Sequence, residues 1–341
     1  MAGSGNALLV GSVPLATSEE VFRVASTLGT ALRRIPDGET GDRTNWIGWQ
    51  IGPIGSNPSM EPVPQRDGYA PMVNFQLKAD VDPSQITFDD LGYATAAIAS
   101  WEVFEPLQLE GVIPASTRFQ VSLPTPVAPV TGYVDVASQP AVEAAYEVRM
   151  LQELAEICAV VPHERLALQW DVAVEFGIIE GAFPSYLSGE AGVAGLLERL
   201  VRIGNAVPED VELGFHLCYG DYGHQHFKEP TDTATLVRIA NGIADGVTRT
   251  IQWVHLPVPR DRDDVAYFAP LANLNLPANT ELYLGLVHMT DGLEGAQRRV
   301  AAARQVITDF GVATECGFGR RPPETVPALV ALHGDLLAAM A

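Results

Sequence analysis

The stretch Glu212-Leu213-Gly214-Phe215-His216-Leu217-Cys218-Tyr219-Gly220-Asp221 reads as a short apolar strand that ends in a His-x-Cys pair, a glycine and an acid. Alternate side chains of a strand point the same way, so His216 and Cys218 share one face, roughly 6–7 Å apart along the backbone. An imidazole and a thiolate so placed can converge on one ion at about 2.0–2.3 Å. A tetrahedral zinc takes further ligands. The chain offers Cys316, in Thr314-Glu315-Cys316-Gly317-Phe318-Gly319-Arg320-Arg321. Taken alone, the pair is read equally well as a buried histidine beside a buried cysteine. The strands on either side separate the two readings.

Outward from this stretch one rhythm recurs: a short apolar strand, a loop rich in Gly, Pro and Asp, an Ala/Leu/Glu-rich helix, then another strand. The strand patterns fall at residues 7–14, 31–36, 119–124, 165–172, 212–221, 250–255, 281–288 and 312–317. Strands at such intervals need crossover helices, which implies a parallel sheet. Eight strands, helical connectors and a closing C-terminal helix predict an α/β fold, a single (β/α)8 TIM barrel over residues 1–341. Its chemistry is expected at the carboxyl ends of the strands. Glu39, Asp171, His216, Cys218, His255, His288 and Cys316 all fall in or just after the last turn of a strand pattern. A two-domain doubly wound protein would scatter them, so this placement favours the metal reading. Residues 52–67 hold Pro53, Pro58, Pro62 and Pro64 and few helix formers. They read as an irregular loop within a long insertion around 50–90, of the kind that serves as a lid or cover.

Composition narrows the class. Of the 341 residues, 47% are hydrophobic, enough for a large core, yet no apolar run approaches the roughly 18–20 residues that span a bilayer. No membrane association is expected. The segment before Leu8-Leu9-Val10 carries no basic flank, so no secretory signal is expected either. Cys158, Cys218 and Cys316 are odd in number and far apart. They form no disulfide framework, and a reducing cytoplasm fits them best. Cys158 sits in a helical pattern as inert core. The net charge of −21 comes without a dense Lys/Arg run, which argues against nucleic acid. Oligomeric state is not readable from these features; a homodimer stays open.

Thiolate ligands favour zinc over magnesium or calcium, which take oxygen. Three protein ligands with an open fourth position define a catalytic rather than a structural site. A substrate thiol in that position ionises at neutral pH and can attack carbon, whereas a water there makes a hydrolase. Cysteine-rich ligation adds negative charge, weakens zinc as a Lewis acid and leaves a thiolate more nucleophilic. Alkyl transfer to sulfur therefore ranks ahead of hydrolysis. Other polar residues have plainer readings. Asp37, Glu39, Asp42 and Arg43 fit a solvated turn. Asp171, at the end of an apolar strand, needs a partner if buried. His224 and His226 read as part of a loop over the site. Arg320 and Arg321 suit either a substrate carboxylate or phosphate, or the chain's own acids. Trp46, Trp49 and Trp101 read as core or loop anchors.

His216-Leu217-Cys218-Tyr219 followed by Cys316-Gly317 resembles the zinc site of the C-terminal catalytic barrel of cobalamin-independent methionine synthase. Gly11-Ser12-Val13-Pro14 looks like the Gly-Ser-Phe-Pro of that barrel's first strand. Gly38-Glu39, with Asp42-Arg43 behind it, looks like its Gly-Glu segment, and Gln169-Trp170-Asp171 like its Gln-Ile-Asp. The resemblance spans the whole chain through short motifs. It implies zinc as cofactor, held by His216, Cys218 and Cys316. It also implies that Ser12, Glu39 and Asp171 hold an amino-acid-like or otherwise polar part of a small-molecule thiol, which receives an alkyl group, most simply methyl, from a small-molecule donor. The departures are specific. There is no second barrel for polyglutamyl folate, and no tryptophan follows the third strand, so methyl-folate is not the expected donor. The family's glutamate ligand from the sixth strand is missing, and His255 stands nearest its place as a fourth ligand. His288, before Asp291, matches the family's proton-transfer pair in reversed order and is expected to handle the proton. Compact relatives on the same scaffold open epoxides with a thiol cofactor, and uroporphyrinogen decarboxylase shares the fold without the metal. A zinc-dependent lyase or hydrolase, an epoxide–thiol transferase and a catalytically silent barrel that binds a small acid therefore stand as alternatives.

Overall fold

Every residue of Leu166–Val172 is buried, which is what a parallel strand covered on both faces demands of its sequence. In the computed structural model, which describes residues 5–66, 72–223 and 225–341, this strand (β6) lies inside a ring of eight. In chain order the elements are β1 (Ala7–Leu8), α1 (Ser18–Ala25), β2 (Arg34–Pro36), α2 (Ile51–Ser56), β3 (Met60–Arg66), β4 (Met72–Leu77) and α3 (Tyr93–Leu109). There follow β5 (Arg118–Pro124), α4 (Val127–Tyr133), α5 (Gln139–Val160), β6, α6 (Val174–Ile179), α7 (Glu190–Ala206), β7 (Glu212–Leu217) and α8 (Ala234–Gly246). The chain ends with β8 (Trp253–Pro257), α9 (Val265–Phe268), β9 (Glu281–Val287), α10 (Gly292–Ala303), β10 (Gly311–Thr314) and α11 (Val326–Met340).

The sheet order is β1-β10-β9-β8-β7-β6-β5-β2, parallel throughout. A parallel bridge between Ala7 and Leu32 brings the β1 edge back to the start of β2. The eight strand patterns read from the sequence all appear in this (β/α)8 barrel. Inside the ring Leu8, Val10, Ala167, Trp253, Tyr283 and Ala313 form their own apolar cluster. Arg34 lies 4.2 Å over the Trp253 ring and pairs with Glu281 at 2.8 Å, closing the amino end of the ring with a satisfied charge. The larger core lies outside the ring, between strands and helices. Function is thereby left to the carboxyl end.

Of the stretch 52–67, the described residues 52–66 are not irregular. They contribute α2 and β3, and β3 pairs antiparallel with β4 in a two-stranded ribbon. Pro62 and Pro64 are two apart, so both missing N–H groups fall on one edge of the ribbon, the placement that strand prolines tolerate. The ribbon is docked through Phe75, whose carbonyl accepts from the Asp135 N–H at 2.8 Å. The rest of the expected insertion includes residues 67–71, which lie outside the described residues. Packed against α5, α3 has no side-chain cap of its own. The Glu153 carboxylate, from α5, accepts the N–H groups of Leu91, Gly92 and Ala94 instead. Among the described residues, no helix is long and apolar enough to cross a membrane.

Candidate metal centre

β7 carries His216 on its inward face and releases Cys218 one residue past its end, where the Cys218 N–H still donates to Val172 at 2.9 Å. Cys316 follows β10, in a turn closed by the Thr314 hydroxyl donating to the Cys316 carbonyl at 2.7 Å. The two sulfurs stand 3.7 Å apart. A disulfide would need about 2.05 Å. Two sulfurs at about 2.3 Å from a tetrahedral zinc stand about 3.8 Å apart. One ligand atom from each of His216, Cys218 and Cys316 fits within 4.8 Å of the others. The donor set and its spacing suit zinc.

His255 sits beside His216 in the parallel register of β7 and β8. Its Nδ1 is 2.6 Å from Nδ1 of His216, and its Nε2 donates to the Thr314 carbonyl at 3.0 Å. Both ring nitrogens are committed, so His255 stands behind His216 rather than with Cys218 and Cys316. The parallel register sets the two imidazoles side by side. Burial lowers the pKa of both, that of His255 to about 3, and keeps both rings neutral.

Ser12, Glu39 and Asp171 line one cleft of about 410 Å³ together with His216, Cys218 and Cys316. Ser12 is placed by the chain after Cys316: the Phe318 N–H donates to its carbonyl at 2.6 Å, and the Gly319 N–H to its hydroxyl at 3.3 Å. A Cβ at Gly317 would stand 2.4 Å from the Ser12 hydroxyl, so only glycine permits that approach. Glu39 has φ +47°, a conformation uncommon outside glycine. Its N–H donates to Asp37 at 2.8 Å, and Asp37 in turn pairs with Arg43 at 2.8 Å and accepts from Ser100 at 3.0 Å. Asp37 and Glu39 are buried, so for them the solvated-turn reading fails. Burial pushes the Glu39 carboxyl well up, and the nearby Asp171 and Asp37 push it further. Burial also pushes Asp171 up, against hydrogen bonds from Gln169 (2.8 Å) and Trp46.

His288 is not among the residues lining this cleft. Its Nε2 donates to the Val258 carbonyl at 2.8 Å, and its Nδ1 lies 3.9 Å from Glu315, next to Cys316 in the chain. Glu315 also meets His226 at 2.8 Å, and His226 meets Glu229 at 3.0 Å. His226 thus draws the loop after β7 toward the Cys316 segment; His224 lies outside the described residues. Arg320 pairs with Asp221 at 3.3 Å and has a guanidinium nitrogen 3.9 Å from the Cys316 sulfur. Cys158 is half-buried in α5, away from the site. Trp46, read from the sequence as a core or loop anchor, also lines the cleft, at φ +52°. No local pattern marks a loop tryptophan as a site residue.

No protein-family model matches the chain, and no curated protein does. Solved structures do. A putative vitamin-B12-independent methionine synthase from Listeria monocytogenes superposes with a TM-score of 0.60 at 14% identity, over 98% of this chain and 99% of its own. A B12-independent methionine synthase from Shewanella sp. W3-18-1, solved with selenomethionine, gives 0.55 at 13%, over 99% and 98%. A methyltransferase from Methanosarcina mazei gives 0.57 at 13%, over 98% and 93%. The protein therefore has the single-barrel architecture of methionine-synthase-like proteins along its whole length.

Proposed function

We propose that this protein is a zinc-dependent methyl- or alkyltransferase whose acceptor is a small-molecule thiol. The observation that carries the reading is the pair of sulfurs 3.7 Å apart, with His216 beside them, at the floor of a cleft at the carboxyl end of the barrel. His216, Cys218 and Cys316 would hold zinc, which when bound keeps a substrate thiol ionised at neutral pH and ready to attack carbon.

The chain's own residues supply orientation and charge. Glu39 and Asp171 are two buried carboxyls, both raised by burial, and the nearby Asp171 raises Glu39 further. A substrate ammonium between them would relieve that repulsion, which favours an amino-acid-like thiol over a plain one. The Ser12 hydroxyl reaches the same space. Arg320 supplies the cationic side of the cleft and offsets the charge of Cys316. His288, proposed to handle the proton that the thiol releases, stands outside the cleft with its Nδ1 3.9 Å from Glu315, so the proton would reach it by way of Glu315.

Metal analysis with X-ray absorption, run with and without a panel of thiols, tests the reading. A new zinc–sulfur contact appearing with an amino-acid thiol, together with methyl transfer from an activated methyl donor to that thiol, is expected. A metal that keeps only water in the presence of every thiol would move the assignment to a hydrolase.

A further inference from the structure

His255 has a part in the site that differs from ligation. It is fully buried on β8, opposite His216 on β7. Its Nε2 lies 3.0 Å from the Thr314 carbonyl oxygen, and its Nδ1 lies 2.6 Å from Nδ1 of His216. A carbonyl oxygen only accepts, so Nε2 of His255 carries a hydrogen. A neutral imidazole has one N–H, so Nδ1 of His255 holds a lone pair and accepts. The hydrogen between the two rings then belongs to Nδ1 of His216. Nε2 of His216 keeps its lone pair.

We propose that His255 is a positioning residue: it locks His216 in the Nδ1–H tautomer, so that Nε2 is the nitrogen offered to the ion. The same ring ties together the two arms of the site. It joins β7, which delivers His216 and Cys218, to Thr314 on β10, two residues before Cys316. The carboxylate that the resemblance would place here as a ligand is thereby replaced by a group that points away from the ion. The protein's contribution stays at one nitrogen and two sulfurs. Fixing a ligand histidine through its second nitrogen typically changes metal affinity about ten- to a hundredfold. The consequence for metal affinity rests on the zinc reading above; the tautomer does not.

Long-range proton–nitrogen correlation spectra of the full-length, metal-free protein read the tautomer directly. Wild type and His255→Asn, whose amide oxygen can accept near the Nδ1 position, are expected to show His216 protonated on Nδ1. His255→Leu, with no acceptor, is expected to shift His216 toward the Nε2–H form. Zinc affinity by chelator competition should fall about tenfold or more in His255→Leu and stay near wild type in His255→Asn. X-ray absorption of the zinc-loaded wild type should count a single imidazole. An Nε2-protonated His216 in the wild type, a second imidazole on the metal, or a leucine variant with unchanged tautomer would each overturn the assignment. If the wild type shows the Nδ1–H form yet takes up no zinc, the transferase reading falls and the role of His255 stands.

Discussion

Cys218 and Cys316 are 98 positions apart in the chain, yet their sulfurs lie 3.7 Å apart. They follow β7 and β10, which are not neighbours, because β8 and β9 lie between them. In a flat sheet three strand spacings would separate them by about 14 Å. Closure into a ring turns both carboxyl ends toward one axis, and the side chains cover the remaining distance.

Replacing either sulfur should empty the site. Cys218→Ser or Cys316→Ser is expected to lower bound zinc from about one per chain to a small fraction and to abolish thiol alkylation. Cys158→Ser should leave both unchanged, since that cysteine sits in α5, away from the cleft. Metal content by emission spectroscopy decides it, and equal zinc in all three variants would remove the metal centre from the account.

The paired carboxyls should act on substrate choice rather than on the metal. Glu39→Gln and Asp171→Asn are each expected to raise KM for an amine-bearing thiol about ten- to a hundredfold, the worth of a charged hydrogen bond. Zinc content should be retained. A thiol of the same length without the amine should be turned over almost equally well by wild type and variants. An equal loss for both thiols would mean that these acids shape the cleft without reading the amine.

Glu175 makes a test of pH dependence. It is buried at the start of α6 and bonds to Thr125, and burial raises its carboxyl to about 7 from 4.5. The folded state therefore holds this proton more tightly than the unfolded one. The resulting stability is present in full below about pH 4.5 and is lost as pH rises toward 7. Relative to Glu175→Gln, the wild type should lose on the order of 3 kcal/mol across that window. Urea unfolding of both proteins between pH 4.5 and 8 measures it, and a pH-independent difference would contradict the shift.

The α3 cap supplies a fourth expectation. Glu153→Ala strands the N–H groups of Leu91 and Ala94 in the interior, while that of Gly92 keeps the Asp90 carboxylate at 2.7 Å. A loss of about 3 kcal/mol is expected, read from the denaturant midpoint, with Glu153→Gln milder because its amide oxygen still accepts. Zinc content should not change, since none of these residues lines the cleft.

Much of the site could be read in advance because barrel chemistry gathers at strand ends, and strand ends are visible as apolar runs that stop at a polar residue. Leu213 to Leu217 before Cys218, and Gly311 to Thr314 before Cys316, are runs of this kind. The ribbon of β3 and β4 escaped for the opposite reason. Its prolines suppress the usual strand signal, and only pairing with a partner strand makes the edge placement of Pro62 and Pro64 acceptable. The direction of the His255 ring is a detail of single atoms. A histidine two residues beyond a buried tryptophan looks the same in sequence whether its ring faces an ion or a neighbouring imidazole.

Periodicity and residue chemistry, both local, were enough to specify eight buried parallel strands and to nominate a nitrogen and two sulfurs as a group. What no local pattern carries is distance and direction across the ring: the 3.7 Å between the sulfurs, the turn of His255 toward His216, and the approach of Glu39 to Asp171 in one cleft. Those depend on barrel closure and on the register of β7 against β8, which arise from packing the whole chain at once.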